Sequence, residues 1–123
     1  MSLEAYRRAQ SISESPRDTE YRLFAEVTRA LMEAGEREAR DQKFFEALDW
    51  NRRLWSTLSS DCATSGNKLP KPLRAQIISI GLWVSKYSSQ VALGRADMDA
   101  LVDVNRTIME GLAARPTGSV EAS

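Results

Sequence analysis

Pro72-Leu73-Arg74-Ala75-Gln76-Ile77-Ile78-Ser79-Ile80-Gly81-Leu82-Trp83-Val84-Ser85-Lys86-Tyr87-Ser88-Ser89-Gln90-Val91 is the stretch that decides the fold. Leu73, Ile77, Ile80, Val84, Tyr87 and Val91 recur at steps of four, three, four, three and four. That rhythm keeps side chains on one face of an α-helix, whereas a strand needs alternation. Ile78, Leu82 and Trp83 widen the apolar arc, so this helix is expected to be central, with neighbours on more than one side. Pro70 and Pro72 pin its start and Gly94 ends it.

Upstream, Cys62 to Lys71 is dense in turn-forming residues and reads as the clearest loop. The helix before it, about Asp41 to Cys62, carries the same steps on Phe44, Leu48, Asn51, Trp55, Leu58 and Cys62. Glu36 to Lys43 is a run of mixed charges, read as a solvated connector with local ion pairs. Ser15-Pro16-Arg17-Asp18 is a helix start, with a capping serine, proline at the first position and an acid facing the positive helix end. That helix presents Leu23 or Phe24, Val27, Ala30 or Leu31, and Ala34 on one face, with Gly35 as a stop. Leu3 to Ile12 is a short amphipathic piece with Leu3, Tyr6, Ala9 and Ile12 on one stripe, too short to be stable undocked. Downstream, Asp97 can cap a last helix with Leu101, Val104, Asn105, Ile108 and Leu112 on its stripe. Arg115 to Ser123 lacks periodicity. The expected fold is all-α: a single-domain bundle of four main helices plus a short N-terminal one, covering 1–114, with a disordered tail at 115–123.

Composition narrows the function. The chain has 123 residues, 17 basic and 17 acidic side chains, and no histidine. Imidazole-based hydrolysis and histidine-based metal sites are therefore excluded. One cysteine, Cys62, allows neither an internal disulfide nor a thiolate cluster. Zero net charge, with arginines interleaved among acids, argues against a long contact with phosphate backbones. The glycines are too scattered to cradle a phosphate, and no pair of carboxylates has a spacing beyond what helix caps explain. The N-terminus has no apolar run of the signal-peptide kind, and no stretch approaches a membrane span, so a cytoplasmic, non-enzymatic binding protein without cofactor or metal is expected.

Two asparagines are the unusual local feature. Asn51 and Asn105 both fall where the helical phase predicts a buried side chain. Leu48-Asp49-Trp50-Asn51-Arg52-Arg53-Leu54 and Val102-Asp103-Val104-Asn105-Arg106-Thr107-Ile108 repeat Asp, Asn and Arg at fixed offsets. A buried amide is costly unless it is hydrogen-bonded. Either the asparagines bond other helices or each other and set the helix register, or they line a groove and bond a partner's backbone. Trp55 lies on the core stripe, whereas Trp50 and Trp83 lie beside their stripes. Partly exposed tryptophan next to arginine is typical of partner-binding hot spots. Trp50, Arg52, Arg53 and Trp83, with Asn51, Asn105 and Arg106, are the candidate partner-binding residues.

In order along the chain stand Ala5-Tyr6, Ser15-Pro16-Arg17 with Glu20-Tyr21, Leu48-Asp49-Trp50-Asn51-Arg52-Arg53-Leu54-Trp55 and Asn67-Lys68-Leu69-Pro70. Leu73-Arg74-Ala75-Gln76-Ile77-Ile78-Ser79, Trp83-Val84, Val104-Asn105-Arg106 and Gly111-Leu112 follow. From about Leu3 to Leu112 the chain resembles the FlaF family of flagellar biosynthesis regulators of alphaproteobacteria. The resemblance implies a cytoplasmic, non-enzymatic protein needed for flagellin production, which acts with FlbT and binds flagellin as a secretion chaperone. The partners it implies are the amphipathic terminal helices of flagellin, and FlbT. An adaptor that binds FlbT or the export apparatus, or a direct regulator of flagellin messenger RNA, are the alternatives. No catalytic residue carries over, and membrane or nucleic-acid partners are not expected.

Overall fold

A computed structural model describes the backbone of residues 16–37 and 40–121, and the side chains of 21–37 and 40–111. Every element among the described residues is helical: α1 Pro16–Glu36, α2 Gln42–Ala63, α3 Lys71–Ala92 and α4 Asp99–Glu121. The expected short helix at Leu3 to Ile12 lies outside the described residues.

Local chemistry sets the boundaries. α1 begins on Pro16 and runs through Gly35 rather than stopping there. A Cβ on Gly35 would lie 3.4 Å from Met98 Cβ, an ordinary contact, so α1 passes beside the start of α4 there without requiring a glycine. α2 starts where the Asp41 carboxylate accepts from the Phe44 backbone N–H at 3.0 Å, the usual satisfaction of an orphan amide at a helix start. Its end is closed by the Thr64 N–H and hydroxyl, both donating to Asp61 O. The Asn67 carboxamide then accepts from Leu69 N–H and turns the chain into α3. α3 ends in a Schellman arrangement. Arg95 N–H donates to Gln90 O and Gly94 N–H to Val91 O, and Gly94 takes φ +78°.

Arg40 departs from the reading of its segment as a merely solvated connector. Its guanidinium donates to Val91 O at 3.0 Å and also to Ala92 O. It stands over the Phe44 and Phe45 rings, 5.0 and 5.4 Å from their centroids. A cation there gives Val91 O a donor beside Gly94 N–H, gives Ala92 O a donor, and complements the helix dipole. Arg37 makes the local ion pair expected of the run, with Asp41 at 3.1 Å.

α2 packs closely on both α3 and α1, and α1 packs on α4. The packing order is therefore α3–α2–α1–α4: α1 and α2 are the inner helices, and α3 is an outer helix. The wide arc of α3 misleads because periodicity reports which faces are apolar, not which are covered: Leu82 is 63% exposed. The α2–α3 seam is close because it is small-sided. A Cβ on Gly81 would sit 2.1 Å from Ser59 Oγ. α4 reaches Glu121, so helical backbone covers 115–121, which the lack of an apolar stripe assigns to a tail. Missing periodicity means that a segment has no face to bury, which is a statement about packing rather than about backbone.

The core is built on Trp55, Phe24, Leu31, Val27, Leu101 and Val84, all nearly inaccessible. Phe24 and Trp55 meet edge to face at 5.6 Å and 82°, a favoured aromatic geometry. Through this core runs a polar chain. The Trp55 indole N–H donates to Asn105 Oδ1 at 2.8 Å, and Asn105 Nδ2 donates to Asn51 Oδ1 at 2.8 Å. Because an indole N–H can only donate, it fixes which end of the Asn105 amide faces it, and so which end faces Asn51. Both asparagines are 0% exposed. Of the two roles open in the sequence, the structure takes the bonded pair in the core. Asn51 Nδ2 is left without a partner, as is the buried Ser88 hydroxyl.

Two stability predictions follow from this packing. Asn105→Leu strands the Trp55 N–H and the Asn51 carbonyl, at about 1–3 kcal/mol for each orphaned group. Asn51→Leu strands only Asn105 Nδ2 and removes an existing orphan, so in urea unfolding Asn105→Leu is expected to lose clearly more stability. Gly81→Leu should cost about 1–3 kcal/mol by overpacking the α2–α3 seam. Gly81→Ala is expected to be better tolerated with Ser59→Ala than alone, as a double-mutant cycle would read.

Candidate functional site

The residues marked from sequence do not form one surface. Asn51 and Asn105 are sealed in the core, with no atom available to a partner. Trp50 is 39% exposed and leans on the α1–α2 seam beside Ala30, Ala34 and Arg37. Arg52 and Arg53 border the α2–α3 seam with Ser56 and Ser85. Arg52 makes a long contact to Ser89 Oγ at 3.5 Å, and Arg53 pairs with Asp49 at 2.8 Å in full view of solvent. Arg106 lies along the α1–α4 seam, its guanidinium 3.5 Å from Met32 Sδ.

Trp83 has a structural task. Its ring stacks on Tyr87 at 4.8 Å and 21°, and the Tyr87 hydroxyl donates to Asp97 O at 3.0 Å. The stack braces the turn from α3 into α4. Burial, then the nearby Asp97 and Asp99 carboxylates, push the Tyr87 phenol above its ordinary pKa, because each disfavours the phenolate.

What the fold builds instead is a groove between α3 and α4. The two helices are joined at one end by residues 93–98 and have no close backbone seam along their length. The cleft holds about 510 Å³. Leu73 and Ile80 of α3, with Leu69 in the loop before it, form one wall, Val104, Thr107 and Ile108 form the α4 wall, and Phe24, Leu58 and Ile77 lie beneath. Asp103 is the one charged side chain among the described lining residues. Phe24 and Ile77 belong to the sealed core, while Leu58, Leu69, Leu73, Ile80, Val104 and Ile108 are half-buried. Half-buried branched aliphatics in a concave row are apolar area with no covering side chains among the described residues. Such clefts mark binding sites more often than isolated exposed leucines do.

Sequence reasoning placed most of these residues on the correct stripes but read the stripes as core. Leu73 and Ile80 have the same phase as Ile77 and Val84, and Ile108 the same phase as Leu101. The hint available was the surplus of apolar positions on α3 over what one neighbouring helix can cover. Chemically the groove can exclude water and grip an apolar face; it offers no array of donors for an anion. Among the described residues no group of three histidine, cysteine, aspartate or glutamate side chains could hold a metal ion. No helix among them is long and apolar enough to cross a membrane.

No curated protein and no solved structure matches the chain. A family model described as flagellar protein FlaF matches residues 2–112, which takes in α1, α2, α3 and the groove-lining part of α4. With an all-helical body, paired core asparagines and an open apolar groove inside that match, the chain belongs to the FlaF family of flagellar proteins.

Proposed function

We propose that this chain is a cytoplasmic flagellin-binding chaperone that promotes flagellin production, and that the α3–α4 groove is where it binds. The observation that carries this reading is the row of half-buried Leu69, Leu73, Ile80, Val104 and Ile108 over a sealed floor, in a member of a flagellar family. The occupant is an amphipathic helix from a flagellin terminus. Such a helix lays its apolar face into an apolar groove and is read at helical intervals. The groove's length sets how much of such a helix it can cover. From Asp103 to Gly111 the α4 wall is about 12 Å, room for two turns of helix. Covering the apolar face of flagellin before assembly hides an aggregation-prone surface.

The mechanism is one of sequestration. Affinity comes from apolar area removed from water, about 25 cal/mol per Å². Orientation comes from the few polar groups on the rim, Gln76, Asp103 and Thr107. Regulation of flagellin synthesis then follows from how much flagellin is held, without contact to its messenger.

The test is co-elution of the purified chain with flagellin, with dissociation constants by calorimetry. Leu73→Asp and Ile108→Asp, each checked for unchanged helicity, should weaken binding by about tenfold or more, the worth of roughly 1.4 kcal/mol of lost apolar contact. Trp50→Ala should leave it within about twofold. Absence of any flagellin complex, or loss on Trp50→Ala with none on Leu73→Asp, overturns the assignment. Capture of FlbT or messenger RNA in its place identifies the alternative.

A further inference from the structure

The apolar groove uses one flank of α3, and the opposite flank carries a different chemistry. Lys71, Arg74, Ile78, Leu82, Ser85 and Ser89 recur at steps of three and four, a second stripe on the same helix. This stripe is turned toward α2. Arg74 Nη1 donates to Thr64 O at 3.4 Å, Gly81 abuts Ser59, and Arg52 Nη2 lies 3.5 Å from Ser89 Oγ. A cleft of about 450 Å³ lies along the seam. Arg52, Arg53, Ser60 and Ser85 supply polar lining, and Ile78 and Leu82 supply apolar lining. No acidic or aromatic side chain lines it among the described residues.

The chain is balanced in charge, but this seam is not. Over its 22 residues α3 carries Lys71, Arg74 and Lys86 and no acid. α2 adds Arg52 and Arg53 on the facing side. Asp49 offsets one of them, pairing with Arg53 at 2.8 Å, with both side chains more than half exposed. A pair so exposed to solvent is weak and readily exchanged. A guanidinium presents five donors in a planar fork. Arg53 turns part of its fork to Asp49 and Arg52 makes one long contact, so most of each fork has no partner among the described residues. Between these cations stands Leu82, 63% exposed.

We propose that the α2–α3 seam is a second docking surface, for an acidic segment of another protein. One aliphatic side chain of that segment enters beside Ile78 and Leu82, and its carboxylates face Arg52, Arg53 and Lys86. Both halves of the surface are needed for this choice. Phosphates gain nothing from an exposed leucine, and a single-stranded nucleic acid would want an aromatic platform for its bases. Arginine beside apolar area is the composition of a protein interface. The charge makes encounter fast and salt-sensitive. The proposal does not rest on the flagellin reading of the groove. Because seam and groove lie on opposite flanks of α3, an occupant of one leaves the other open.

The test titrates the full chain, methyl-labelled at Ile, Leu and Val, with two synthetic peptides. One carries a single leucine among glutamates, the other a single leucine among lysines. The acidic peptide is expected to shift the Ile78 and Leu82 methyls, with Leu73 and Ile108 of the groove little changed, and to bind more weakly as salt is raised. The lysine peptide should bind at least about tenfold more weakly. Arg53→Glu with Lys86→Glu, both at exposed positions that the fold does not need, should weaken the acidic peptide about tenfold. Equal binding of the two peptides, shifts confined to the groove, or an affinity indifferent to the double charge reversal overturns the proposal. Tighter binding of single-stranded oligouridylate than of the acidic peptide, read at the same methyls, also overturns it and gives the seam to nucleic acid.

Discussion

The hydrogen-bonded chain from the Trp55 indole through Asn105 to Asn51 is the constraint on which the rest of the molecule depends. An apolar contact tolerates sliding, but a buried amide that loses its partner costs about 1–3 kcal/mol. The chain therefore fixes both the rotation and the height of α4 against α2. With Asn105 turned to Trp55, Leu101 and Val102 go into the core and Val104 and Ile108 are left on the flank. That flank is one wall of the groove.

The opposite wall is placed by a second set of contacts. Gly81 and Ser59 let α3 come close to α2, and Arg40 ties the C-terminal carbonyls of α3 to the connector before α2. α3 is thus drawn toward α2 while α4 is drawn toward α1 and α2, and they diverge from the turn at Gly94. The groove is the space between two helices that are each satisfied elsewhere, rather than a defect in a four-helix core. A preformed cleft of this kind spares a partner the cost of opening it.

Much of this was legible in the residues. The apolar stripes gave four helices in register, and Ser15-Pro16, Pro72 and Gly94 marked three of their boundaries. Asn51 and Asn105 stood out by phase, because two amides at core positions need each other or something else. The groove was not legible. Leu73 and Ile77 share one stripe, yet one is a rim residue and the other is sealed, and only the position of α4 separates them. Nor could the pattern show that Trp83 braces a turn by stacking on Tyr87, or that Arg40 in a run of mixed charge caps a helix. The stack itself is an i, i+4 pair, but its anchor on Asp97 lies ten residues beyond Tyr87, and the Arg40 acceptors lie about fifty residues away, beyond the reach of local periodicity.

The most direct test of the central claim is the methyl spectrum of the labelled full chain titrated with a peptide from a flagellin terminus. Shifts concentrated at Leu69, Leu73, Ile80, Val104 and Ile108, with Val27 and Leu31 little changed, are the expected result. Shifts concentrated at Leu82 on the outer face of α3, or none at saturating peptide, would contradict a groove-binding chaperone.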